Sequence, residues 1–227
     1  MEKNEKKVAV LNPYDVLGKA HNKGLDFVME RLNAQDVMKA ERGVDLISQF
    51  LESLKDEHSH QRHDECHSNH SSNETMMNHY IAVGNAINML VLHPVNDLMQ
   101  KSKVSEKQNC FIQSILNVSD EMALDYEGSL KILLNIEEQI LASDLSAEEL
   151  QLPLSMVSIA KYSVKYWMEQ ISCGNSKWAN FVEGDLAKFK FPWKADALGA
   201  MTGIGGGVIG AVGGAIGGSI AAALGWK

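Results

Sequence analysis

ALGAMTGIGGGVIGAVGGAIGGSIAAALGW, residues 197–226, carries no charged side chain and holds eleven of the eighteen glycines of the 227-residue chain. In steps of four it separates into rows. One row, Ile204, Val208, Val212, Ile216, Ile220 and Leu224, is entirely bulky, and the nearly opposite row is Gly206, Gly210, Gly214, Gly218 and Ala222. The two rows between them, which include Gly199, Gly203 and Gly207, are mostly small. Small residues every four positions let helix backbones approach closely, so these seven glycines are candidate helix-packing positions.

Thirty helical residues would run about 45 Å, enough to cross a roughly 30 Å hydrocarbon layer with tilt. Eleven glycines cost about 10 kcal/mol of helix propensity against alanine, so an isolated helix in water is excluded. A bilayer would enforce helix, because the backbone must satisfy itself there. Nine larger apolar residues gain only about 3–5 kcal/mol on an insertion scale, so packing partners must complete the stability. Lys188, Lys190, Trp193 and Lys194 before the segment, and Trp226 and Lys227 after it, match interfacial anchors. The same small faces would also suit a helix or hairpin buried in the protein's own bundle, and a flexible glycine-rich tail is the third reading.

Working towards the N-terminus, the chain reads as helical, with four prolines and no strand alternation. Asn12-Pro13-Tyr14-Asp15 has the form of a helix start, with Asn12 at the N-cap. Leu17, Ala20, Gly24, Phe27, Val28 and Leu32 make one face of the helix that follows. From Gln35 to Leu54 the apolar residues Val37, Ala40, Val44, Ile47, Leu51 and Leu54 recur in steps of three and four. A further helix is expected from Met76 to Leu92, interrupted by Pro94. Ser105–Gln108 and Ser146–Glu149 are capping boxes, before Phe111 and Pro153 respectively. Asp120–Leu141, the run through Val157, Val164 and Ile171, and an aromatic-rich set from Trp178 to Phe189 complete the pattern. The expectation is an all-α bundle of about six or seven helices with a C-terminal glycine-zipper helix or hairpin that spans a membrane. The segments would be a helical pair (1–55), a His-rich polar linker (56–75), a bundle (76–192) and the zipper (193–227).

The linker holds five histidines in thirteen residues. On a helix His63, His67 and His70 would share a face and could bind a divalent metal; the competing reading is a solvated linker that gains charge below pH ~6.5. The register of His63-Asp64-Glu65-Cys66-His67 is not that of a zinc protease. Gly205–Gly210 fits G-x-G-x-x-G in letters only, since no strand precedes it and no acidic partner follows. His21-Asn22 reads as a structural polar pair, either at the surface or bridging to a neighbouring helix. Cys66, Cys110 and Cys173 form no CxxC pair. A net charge of −8 argues against nucleic acid as a partner. Val8–Leu11 is too short for a signal-peptide core. The chain is therefore expected to be non-enzymatic, without a cofactor, and membrane-associated with its bulk in the cytoplasm. Its expected partners are lipid and either copies of itself or another small-faced helix.

Asn12-Pro13-Tyr14-Asp15, Gly18, His21-Asn22 and Leu25-Asp26-Phe27-Val28 together resemble the opening of a family of uncharacterised bacterial helical proteins. The resemblance covers about twenty residues, implies a helical fold and brings no known activity with it. The C-terminal segment resembles glycine zippers of membrane-associated proteins and of helical bacteriocins. That likeness implies either a tether that self-associates or a toxin whose bundle shields the zipper until it inserts.

Overall fold

The computed structural model describes residues 11–32, 40–59, 83–84, 104–118, 126–172, 178 and 193–224. Among these, seven α-helices and one 3-10 turn form an all-α bundle with no strand. In chain order they are α1 (Asp15–Arg31), α2 (Ala40–Ser59), α3 (Glu106–Leu116), α4 (Tyr126–Leu141), α5 (Ala147–Ser172), α6 (Trp193–Gly203) and α7 (Gly207–Leu224). The turn Ile204–Gly206 joins the last two.

Helix α1 starts at Asp15, and Asn12 is not its N-cap. The Asn12 side-chain carbonyl instead accepts the Tyr14 N–H at 2.8 Å, a turn that leads into the helix. Leu17, Gly18, His21, Gly24, Leu25 and Val28 make its buried face, while Ala20 and Phe27 flank it. Helix α2 buries Val44, Leu46, Ile47, Phe50 and Leu51.

Both capping boxes form. Ser105 Oγ accepts the Gln108 N–H at 3.3 Å and Gln108 Oε1 accepts the Ser105 N–H at 2.9 Å. Ser146 and Glu149 do the same at 3.3 and 3.0 Å. Pro153 lies inside α5, so the Glu149 carbonyl four residues earlier lacks its helical donor. Gln108 Nε2 of α3 donates to that carbonyl at 2.9 Å, so one side chain both caps α3 and fills the gap in α5.

Two apolar clusters make up the interior. The first joins α1, α2 and one side of α5 to α7; the second joins α3, α4 and the other side of α5 to α6. Helix α5 is buried almost all round from Leu152 to Ala160, as expected of a central helix.

The C-terminal segment is a hairpin, not one 45 Å helix, and its two arms make the most extensive helix contact among the described residues. The break falls at Gly207, whose φ of 70° and ψ of −157° are open essentially to glycine alone. The arms then run antiparallel with their backbones touching. A Cβ on Gly203 would stand 2.0 Å from the Gly210 carbonyl oxygen, one on Gly199 2.1 Å from that of Gly214, and one on Gly218 2.3 Å from that of Ala195. Each pairing is four residues further from the turn than the last, so the small-residue row of α7 is the face that receives α6. The bulky row turns into the bundle, with Val212, Ile216 and Ile220 fully buried beside α1 and α2. On a third face Gly213 meets Leu51 and Val83, where an added Cβ would come within 2.7 and 2.8 Å. All three packing faces of α7 are thus closed within this chain. Among the described residues, no helix is long and apolar enough to cross a membrane.

Candidate functional site: a buried polar junction at the base of the hairpin

Asp196 lies in the first turn of α6, at the open end of the hairpin, and is fully buried. Burial of a carboxylate without compensation is expensive, so its partners define the site. Ser163 Oγ, from α5, donates a short hydrogen bond to Oδ2, and Ser219 Oγ, from α7, donates to Oδ1 at 2.5 Å. His21, from α1, brings Nε2 within 3.5 Å of Oδ2 and 3.4 Å of the Ser219 hydroxyl. One carboxyl group therefore ties both arms of the hairpin to two bundle helices.

The other side of the imidazole is also held. His21 Nδ1 is 2.9 Å from Asn22 Oδ1, and Asn22 Nδ2 donates to the Tyr162 carbonyl at 2.9 Å. A proton on Nδ1 leaves Nε2 bare towards Asp196, the arrangement of a neutral imidazole. Burial pushes the Asp196 carboxyl up to about 7, against partial relief from Ser163, Ser219 and Trp167. Burial pulls His21 down to about 4, opposed by Asn22. Both shifts disfavour charge, as desolvation requires.

Serine, histidine and aspartate are the residue types of an acyl-transfer triad, but the geometry here does different work. A triad places serine and carboxylate on opposite nitrogens of the ring, whereas Ser219 and Asp196 share Nε2. The Ser219 hydroxyl donates its hydrogen bond to the Asp196 carboxyl group and not to the ring, and His21, Asp196 and Ser219 have no exposed surface to meet a substrate. The cluster joins both arms of the hairpin to α1 and α5.

A second polar junction fixes the start of α1. Lys161 Nζ, 8% exposed, lies 2.6 and 2.7 Å from the two Glu137 oxygens and 3.1 Å from Asp15 Oδ1. Asn12 Nδ2 donates to Glu137 Oε1 at 2.7 Å and to the Leu154 carbonyl at 3.0 Å. Asn12 and Asp15 thus clamp α1 to α4 and α5. Further along α1, the Tyr166 hydroxyl donates to Asp26 at 3.0 Å and accepts the Trp178 indole N–H at 2.9 Å. Burial pushes that phenol far above its usual range.

The residues singled out from sequence divide as follows. Gly199, Gly203, Gly210, Gly214 and Gly218 stand at the contact between α6 and α7. Gly206 and Gly207 do not: they lie at the turn, where an added Cβ meets nothing within 4 Å. Trp193 is 3% exposed in the second apolar cluster, with the Lys194 ammonium 5.6 Å from its ring centre. Lys188, Lys190, Trp226 and Lys227 lie outside the described residues, as do His63, His67 and His70. Among the described residues, no group of three His, Cys, Asp or Glu side chains could hold a metal ion. The Asp196 junction was missed in sequence because its members are scattered over four helices. The available signal was His21 itself, four residues after Leu17 and four before Leu25, on the apolar face of α1. Comparison of the chain with family models, with curated proteins and with solved structures finds no match.

Proposed function

We propose that this is a non-enzymatic, membrane-inserting protein whose helical bundle shields a glycine-zipper hairpin until the hairpin meets a bilayer. The observation that carries this reading is the enclosure of the hairpin: its backbone-to-backbone contact, its bulky row and its third face are all used inside the fold. A permanent tether would hold its zipper in lipid beside a bundle with a core of its own. Here α7 belongs to the core that α1 and α2 complete, so the hairpin occupies either the bundle or the bilayer. At 1.5 Å per residue α6 measures about 16 Å and α7 about 27 Å, so a hairpin that enters turn first carries both arms about half-way into a ~30 Å hydrocarbon layer. Inserted, it exposes small faces that other copies can fill. The amphipathic helices α1 and α2, stripped of their central partner, lie at the lipid surface. The bulk of the chain then stays on the side from which the hairpin entered, the cytoplasmic face for a protein acting in its own cell.

The test locks the hairpin in place. A Cβ on Gly213 would stand 2.7 Å from Leu51 Cδ1 and 3.8 Å from Cγ, so the two positions face each other across the contact of α7 with α2. In a background with Cys66, Cys110 and Cys173 replaced by serine, Leu51→Cys with Gly213→Cys should suppress leakage of dye-filled vesicles when oxidised and regain it on reduction. Equal leakage from both forms, or none from the unlocked protein, would leave the hairpin as the core of a bundle and nothing more.

A further inference from the structure

We infer that His21 is the acid sensor of the hairpin latch: release of the hairpin into lipid opens His21 to water, where it takes up a proton that the closed bundle excludes. This deepens the membrane-inserting reading and rests on it. The geometry is the junction itself. His21 is held in place by contacts to both arms of the hairpin, Asp196 on α6 and Ser219 on α7, and all three are fully buried. Withdrawing the hairpin removes both contacts at once and leaves the imidazole on a surface of α1 that faces solvent.

Among the described residues, Asp196 is the charged side chain that forms an ion-pair contact within 4 Å of His21. Helix α7 carries no charged residue, and α6 presents Asp196. Helix α5 presents the Ser163 hydroxyl and the Tyr162 carbonyl, its Lys161 being bound to Glu137 and Asp15 and its Tyr166 to Asp26. Helix α2 meets this stretch of α1 through Phe50, beside Gly24, with its Arg42–Asp45 pair at the surface.

The two titrating members of the latch respond differently according to where the hairpin goes. In aqueous unfolding both reach water, and the proton Asp196 loses offsets the proton His21 gains. In transfer to lipid Asp196 travels with α6 into a medium that disfavours its charge as much as the bundle does, so it keeps its proton. His21 alone then changes state, from a group titrating at about 4 to one at its ordinary 6.5. Acid therefore favours release by up to tenfold per pH unit, about 300-fold in all between pH 6.5 and 4, without loosening the bundle in water to the same degree.

The experiment compares binding and dye release for the full chain with phosphatidylcholine–phosphatidylglycerol vesicles from pH 7.5 to 4. The variants are His21→Gln, which keeps polar contacts but cannot gain charge, and Asp196→Asn. The expected result is a steep rise in the unaltered protein below pH 6.5, loss of most of that rise in His21→Gln, and its retention in Asp196→Asn. An unchanged rise in His21→Gln overturns the sensor and leaves the membrane-inserting reading standing; no binding by the unaltered protein at any pH overturns both. Should His21→Gln fail to fold by circular dichroism, the histidine 13Cε1 resonances of the unaltered chain decide the matter. One histidine must stay neutral at pH 5 in water and become charged on vesicles, and a His21 neutral in both states overturns the inference.

Discussion

Replacing Gly214 by alanine sets two opposing effects against each other. The substitution adds about 1 kcal/mol of helix propensity, so an α7 standing free of other helices would gain stability. In the hairpin the new methyl would lie 2.1 Å from the Gly199 carbonyl oxygen and 2.9 Å from its carbon. Ordinary contact begins near 3.4 Å, so the arms must separate by roughly 1.3 Å, and the obstacle is backbone that cannot turn aside. Overpacking of this kind costs about 1–3 kcal/mol, and a fixed obstacle takes it to the upper end. The net expectation for Gly214→Ala is a loss of about 1–2 kcal/mol, or several degrees in Tm for a chain of this size. Gly206→Ala is the control: the added methyl meets nothing within 4 Å and φ is not positive, so stability should hold or rise by up to about 1 kcal/mol. Adding Gly203→Ala to Gly214→Ala should cost less than the two singles combined, because both strain the same separation. Urea unfolding followed by far-ultraviolet circular dichroism measures all four proteins. A stabilised Gly214→Ala, matching Gly206→Ala, would refute the close approach of α6 and α7.

Three further outcomes follow from the polar groups. Gln108→Leu should lose about 1–3 kcal/mol by opening the α3 cap and stranding the Glu149 carbonyl, and Pro153→Ala in the same chain should recover part of it by restoring the helical N–H; chemical denaturation of the four-member cycle reads the coupling. Lys161→Met should cost about 3–5 kcal/mol, since it leaves Glu137 buried with Asn12 as its remaining partner among the described residues, and calorimetry should show a correspondingly large fall in Tm. For unfolding in water, the depressed His21 contributes stability above pH 6.5 that is lost as pH falls towards 4, whereas the raised Asp196 contributes stability below pH 3.8 that is lost as pH rises towards 7. Over pH 4–6.5 the two nearly cancel. Asp196→Asn should therefore make stability fall by about 3 kcal/mol on acidification across that window, and His21→Gln should make it rise by a similar amount; parallel curves for both variants would refute the pairing.

The helical class and both caps could be read from sequence because each rests on residues close together in the chain. Ser105 with Gln108, or Leu17 with His21 and Leu25, need only one or two turns of helix to meet. The hairpin was only half legible for a physical reason. A spacing of four marks a face that admits another backbone, but parallel, antiparallel and intermolecular partners all leave the same mark. Gly203, Gly205, Gly206 and Gly207 could each have broken the helix, and the choice of Gly207 follows from which arms then match. Asp196 is interior because Ser163, Ser219 and His21 converge on it from 33, 23 and 175 positions away. No local pattern encodes that convergence.

The use of glycine where alanine would make a better helix bears on the proposed function. The two arms hold eight glycines, about 8 kcal/mol of forgone propensity, a sum comparable to the whole stability of a typical domain. A core helix of alanine could still be buried by larger spacing between its neighbours. What alanine could not do is let α6 and α7 touch backbone to backbone, and that contact needs nothing from the rest of the bundle. A hairpin closed on itself can leave its surroundings as a unit, exchanging its outer faces for lipid: Val212, Ile216 and Ile220 leave α1 and α2, and Trp193, Ala197 and Met201 leave the cluster of α3, α4 and α5. The bundle's hold on that unit then reduces to apolar contacts, which lipid replaces almost in kind, and to the polar latch at Asp196, which it does not. On this account the latch, far more than the zipper, sets when the hairpin moves.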